Sequence, residues 1–199
     1  YDDPESNYLD PDVWHRLPRW KHRLLYMNNT LAGRIAMGTL IGMVSFIRSD
    51  IAAARGGQRV IVTDWLAHIP GTVLTLWAVV ASGTSLWMYL GACYVAMSVL
   101  KIRTFLEHQA HDRVSGRTAI VEDRGILGFL FLNNNLHVVH HMHPTVAWYK
   151  LWAIYRAKRE RYVTRNGGYV LASYGTVFRR YMWRGRDHVA HPLWHKPTD

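Results

Sequence analysis

Twelve histidines stand among the 199 residues of this chain, and several are clustered. The densest run is Asn133-Asn134-Asn135-Leu136-His137-Val138-Val139-His140-His141-Met142-His143-Pro144. His137, His140 and His141 have the spacing H-x-x-H-H. On a helix, positions i, i+3 and i+4 share a face, so three imidazoles point into one space. Neutral imidazole is a ligand for iron, zinc, copper or nickel. A solvated histidine tract is the plain alternative, and the apolar Val138 and Val139 inside the run argue against it. Pro144 ends the helix beside His143. His143 is a candidate for ligation or for bonding to a ligand, and Asn133, at the start of the run, is another.

A second cluster runs Arg103-Thr104-Phe105-Leu106-Glu107-His108-Gln109-Ala110-His111. It continues an apolar helix. His108 and His111 are three apart and are expected on one helical face. Glu107 can hold the ring N–H of a ligating imidazole and fix its tautomer. A pair at this spacing also occurs at ordinary helix ends. The third cluster, His188, His191 and His195, is interrupted by Pro192 and reads as a terminal tail. His15, His22 and His68 are isolated. Cys93 is the single cysteine, which excludes a disulfide scaffold and cysteine-based zinc or iron–sulfur sites.

The elements that must position these clusters follow from the charge map. From Trp65 to Leu100 there is no Asp, Glu, Lys or Arg. That length is too long for one membrane span of about 20 residues and suits two. Ala81-Ser82-Gly83-Thr84-Ser85 supplies the turn. The expectation is a transmembrane helical hairpin, about 65–81 and 85–102, because a helix satisfies its own backbone in lipid. A buried hairpin of a soluble protein would need a solvated face, and this stretch has none. Leu31 to Ile47, interrupted by Arg34 and three glycines, is a marginal span or an interfacial helix. Arg48 to Asp64 reads as a polar connection. Residues 1–30 read as a loop plus a short amphipathic piece around Trp14 to Met27. A hairpin with a short turn returns the chain to its starting side, so all clustered histidines share one membrane face.

Net charge is +10, which raises nucleic acid as a partner. The distribution argues otherwise. Ten Lys and Arg against the single acid Glu160 lie between Lys150 and Arg186, after the apolar stretch. Positive residues flanking membrane spans mark the cytoplasmic side. The expected architecture is an all-α integral membrane protein, with a transmembrane hairpin and a cytosolic helical cap that carries the histidines.

Taken together, Glu107-His108 after an apolar helix and the string from Asn133 to Pro144 resemble the C-terminal half of an integral-membrane fatty acid desaturase. The resemblance extends to the superfamily of alkane and carotenoid hydroxylases and ketolases. It implies that His137, His140 and His141 form the third histidine box and that His108 is the intervening histidine, with His111 its rival. It implies two iron ions, O2 as co-substrate and a fatty acyl or lipid substrate. It also implies an electron donor such as ferredoxin, rubredoxin or cytochrome b5. The opening Tyr1-Asp2-Asp3-Pro4-Glu5-Ser6 is similar to the segment after the second box, so the likeness covers residues 1–199 as the C-terminal part of such a domain. No H-x-x-H-H or H-x-x-x-H occurs before residue 108. Boxes one and two are then expected ahead of Tyr1, and the 199 residues alone are expected to be inactive. The implied product is a double bond. Hydroxylation or ketolation by the same site is the alternative. A membrane zinc hydrolase would need H-E-x-x-H, which is absent. A non-catalytic membrane metal-binding protein is the remaining reading.

Overall fold

The computed structural model describes residues 8–193. His195 and the opening segment Tyr1–Ser6 lie outside them. The described residues are mostly helical. They divide into two compact units: one takes the residues up to Ile35 and from Leu100 onward, and the other is Ala36–Val99.

Two short helices open the chain. α1 (Pro11–Arg16) is capped by the Asp10 carboxylate, which accepts the N–H of Asp12 at 2.6 Å. α2 (Arg19–Asn28) follows, and the His22 ring stacks on Trp14 with centroids 4.1 Å apart. Three long helices come next: α3 (Leu31–Arg55), α4 (Arg59–Ala81) and α5 (Leu86–Thr104). The turn after α4 sits where the residues Ser82-Gly83-Thr84 call for it, with Gly83 at φ +78°.

The stretch Arg48–Asp64 is corrected. It is not a loop: α3 continues to Arg55 and α4 begins at Arg59, with Gly56-Gly57-Gln58 as the only break. Charge does not stop a helix. Arg and Ala are good helix formers, and only the glycine pair interrupts, Gly57 adopting φ +88°. Asp50 is accommodated by accepting the indole N–H of Trp65 at 2.8 Å.

Among the described residues, two helices are long and apolar enough to cross a membrane, α3 and α4. No residue of α4 is buried. Leu66, Val73, Leu74 and Trp77 are all exposed by more than half. A face this apolar needs lipid or another protein surface against it. α5 carries Lys101 and Arg103 in its last turn.

The histidine-bearing unit contains its own core. Ile120, Leu136, Val138, Val139, Leu151, Tyr155 and Tyr162 are all buried together. They come from β1 (Ile120–Val121), from α7 (His137–Met142) and Leu136 just before it, and from α8 (Leu151–Ala157) and α9 (Arg159–Arg165). α6 (Ile126–Leu130) precedes α7. β1 pairs in parallel with β2 (Val170–Leu171), Ile120 opposite Val170 and Val121 opposite Leu171. This small pair is the departure from an all-helical cap. α10 (Tyr174–Tyr181) closes the unit, capped by the Ser173 hydroxyl.

The two ends of the long-helix segment are tied to one place within this unit. Leu31 is fully buried, and the Ala32 N–H donates to the Met182 carbonyl at 3.0 Å. At the other end Ile102 and Phe105 are buried, and Arg186 donates to the Phe105 carbonyl at 2.7 Å.

Candidate metal centre

α7 is short and has two faces. Val138 and Val139 enter the core, and the histidines take the opposite side. The Nε2 atoms of His137 and His141, one turn apart, lie 3.1 Å from each other. The helix therefore realises the i, i+4 convergence its spacing implies.

The partner arrives from after α5. That helix stops at Thr104, and residues 105–111 are not helical. The chain pairs instead with residues 117–119: Gln109 N–H donates to the Arg117 carbonyl at 2.9 Å, and Ala119 N–H to the Glu107 carbonyl at 3.1 Å. The expectation that His108 and His111 share a helical face is corrected by that ending. His108 turns inward and is buried, its Nε2 2.9 Å from that of His137. His111 turns to the loop, where its Nδ1 lies 3.0 Å from the Arg113 amide nitrogen, and its ring covers Gly116.

Three imidazoles thus converge. One ligand-capable nitrogen from each of His108, His137 and His141 lies within 4.8 Å of the others. Two nitrogens sharing one ion at about 2.1 Å, at right angles, are about 3 Å apart. The separations of 2.9 and 3.1 Å fit that value. The neutral, soft-to-borderline nitrogen set suits iron or zinc better than calcium or magnesium.

Electrostatics keep His137 in its ligating form. Burial, and then the neighbouring His141, His108, His140 and Arg103, push the His137 imidazole down to about 2. A proton there would be desolvated and repelled, so the lone pairs stay available to a cation. Behind His137 stands a polar relay. The Asn134 amide oxygen faces His137 Nδ1 at 3.3 Å, and the Asn134 amide group donates to Glu107 at 3.4 Å. The Glu107 carboxylate lies 3.7 Å from His137 Nδ1 and pairs with Arg103 at 2.8 Å. An acceptor at Nδ1 holds the proton there and leaves Nε2 to the cluster. Glu107 thus faces His137.

The other candidates have different surroundings. The His140 ring lies near-parallel to His137 with centroids 6.1 Å apart, outside the converging three. His143 follows α7, its Nε2 3.0 Å from the buried Tyr162 hydroxyl. Asn133 bridges elsewhere: its amide donates to the Trp148 carbonyl at 3.2 Å and accepts the Trp152 indole N–H at 3.0 Å. Leu132 and Asn133 both adopt positive φ, 52° and 53°, so the chain bends sharply before the histidines. Asn135 donates to the Val121 carbonyl at 2.6 Å. Each asparagine of the run has its own task. Sequence reasoning missed Asn134 and Arg103; the i, i+4 spacing of Arg103 and Glu107 was the available signal. His191, read as a tail residue, packs edge-on against Tyr8 with centroids 5.2 Å apart, and its N–H donates to the Leu9 carbonyl at 2.8 Å.

The fatty acid desaturase family model matches residues 1–173. No curated protein and no solved structure gave a significant match. The matched stretch holds His108, His137 and His141 together with all three long helices. By a match of that length the chain belongs to the fatty acid desaturase family.

Proposed function

We propose that this chain carries part of the iron site of a membrane oxidoreductase that introduces a double bond into a fatty acyl chain. The observation that carries the reading is the convergence of His108, His137 and His141 in a chain of this family. His108, His137 and His141 would hold iron, and His140, on the same helix, is the nearest described candidate for a second ion. Two irons held there would supply, with O2, two electrons and two protons, the oxidising power to remove one hydrogen from each of two adjacent methylenes, with two waters as the other product.

The residues around the site have their own work. Asn134 and Glu107 hold the His137 proton at Nδ1. Burial keeps the His137 imidazole neutral. The basic surface after α5 supports a cytosolic position for the histidines, and it would speed encounter with an acidic donor of the ferredoxin, rubredoxin or cytochrome b5 type. The exposed apolar helices support a bilayer location, where an acyl substrate is at hand.

The test is metal analysis and product analysis of the full-length protein in membranes. Iron at two per protein with an unsaturated acyl product is expected. Zinc without iron would sink the oxidative reading. An added hydroxyl or keto oxygen in place of a double bond would move the chain to the hydroxylase and ketolase branch.

A further inference from the structure

The backbone that carries His108 is held from the far end of the chain. α5 ends at Thr104, and the backbone just beyond it is bonded by Arg186. Its Nη1 donates to the carbonyls of both Phe105 and His108, each at 2.7 Å. Its Nη2 donates to the Tyr8 hydroxyl at 3.2 Å, and the guanidinium lies 5.5 Å from the Tyr8 ring centre. The Tyr8 hydroxyl accepts the Ala110 N–H at 3.0 Å and donates to Asp187 at 2.6 Å. Residues 105, 108 and 110 are therefore gripped by one knot of Tyr8, Arg186 and Asp187.

The knot is itself anchored. Arg186 N–H donates to the Asn29 carbonyl at 3.1 Å. Leu9 N–H donates to the Val189 carbonyl at 2.9 Å, and His191 returns the bond to Leu9. Segment 186–191 thus fastens the start of the chain to the exit of α5. It lies beyond the residues that the family model matches.

We propose that Arg186 is a positioning residue for the metal centre. It fixes the backbone on both sides of Leu106–Glu107, and so sets the approach of the His108 imidazole to His137 and His141. The proposal rests on the reading that these three rings take a metal. A guanidinium that spans two carbonyls and a hydroxyl fixes direction as well as distance. Misplacement of a ligand by a fraction of an ångström changes metal affinity and ligand field, not merely stability.

The experiment is Co2+ titration of the full chain, read by ligand-field absorption, for wild type, Arg186→Ala, Arg186→Lys and the exposed neighbour Arg184→Ala. Arg186→Ala is expected to weaken Co2+ about tenfold, the low end for residues that orient a ligand, and to shift the bands. Added guanidinium should restore them in part, Arg186→Lys should fall between, and Arg184→Ala should match wild type. Wild-type affinity and bands in Arg186→Ala would overturn the proposal. If Arg186→Ala fails to fold, the same comparison is made with Arg186→Lys, and an unshifted spectrum there overturns it. If wild type shows no Co2+ bands, the metal reading has failed. Amide hydrogen exchange at Gln109 and Ala110 then decides the grip alone: faster exchange in Arg186→Ala supports it, and unchanged exchange removes it.

Discussion

The Nε2 atoms of His108 and His137 lie 2.9 Å apart across 29 positions of sequence. Neither helix spacing nor a turn creates that contact. It exists because α5 unwinds at Thr104 while α7 is packed on Ile120 and Leu136 by its valines. The rings are mutually repulsive when protonated and mutually useful around a cation.

The ligand set is expected to separate sharply by mutation. His108→Ala, His137→Ala and His141→Ala should each lose metal by more than the roughly 10–100-fold typical of outer partners. His111→Ala and His143→Ala should retain it, because their rings serve Gly116 and Tyr162. Metal content after dialysis measures this. Retention in His108→Ala with loss in His111→Ala would mean that the wrong imidazole has been placed at the centre.

The asparagine run offers an internal control. Asn134→Ala removes the acceptor at His137 Nδ1 and should weaken metal about tenfold with little change in stability. Asn133→Ala should do the reverse. It loses bonds to Trp148 and Trp152 and should cost about 1–2 kcal/mol of stability at unchanged affinity. Equal effects of the two variants on affinity would contradict the division of tasks.

Acid sensitivity should have a contribution from Glu122. Its carboxylate accepts bonds from Arg159 at 2.6 and 3.2 Å and from the Tyr155 hydroxyl at 2.6 Å. The Arg159 bond holds its carboxyl below the ordinary 4.5 against the effect of burial. A depressed carboxyl stabilises the fold above its unfolded value and loses that contribution as pH falls through the folded one. The melting-temperature gap between wild type and Glu122→Gln should thus be widest near neutrality and close below about pH 4.5. A gap that is constant with pH would contradict the assignment.

Membrane sidedness can be read with cysteine labelling in the Cys93→Ser background. Both ends of the long-helix segment are held by residues 182–186, so an even number of crossings separates Asn29 from Arg113. Labels at these two should react from the same side. A label at Gly83 reacting from the other side marks α5 as one of the crossing helices, and a label at Gly57 alone reacting from the other side marks α3 and α4 as the crossing pair. Opposite sides for Asn29 and Arg113 would refute the arrangement.

Local patterns were readable without a structure wherever the cause was local. The H-x-x-H-H spacing places His137 and His141 on one face because the helix repeat is a property of adjacent residues. Gly83 marks the turn after α4 because few other residues accept its φ. The uncharged stretch announces helices with no solvated face. The polar run Arg48–Asp64 misled for the same local reason: charge suggests a loop, yet helix propensity there is good and only Gly56-Gly57 breaks it.

What the sequence alone determined is therefore the family pattern, the helical character and the shared face of His137 and His141. What the tertiary structure decided is which other histidine joins them. Nothing between Phe105 and His111 is a helix breaker, so continuation of α5, with His108 and His111 side by side, was the local expectation. The helix ends because its backbone finds better partners far away, in Arg117, Ala119 and Arg186. Those partners turn His108 inward and His111 outward. Hydrogen bonds between distant segments depend on the whole chain's packing, and no window of sequence contains them.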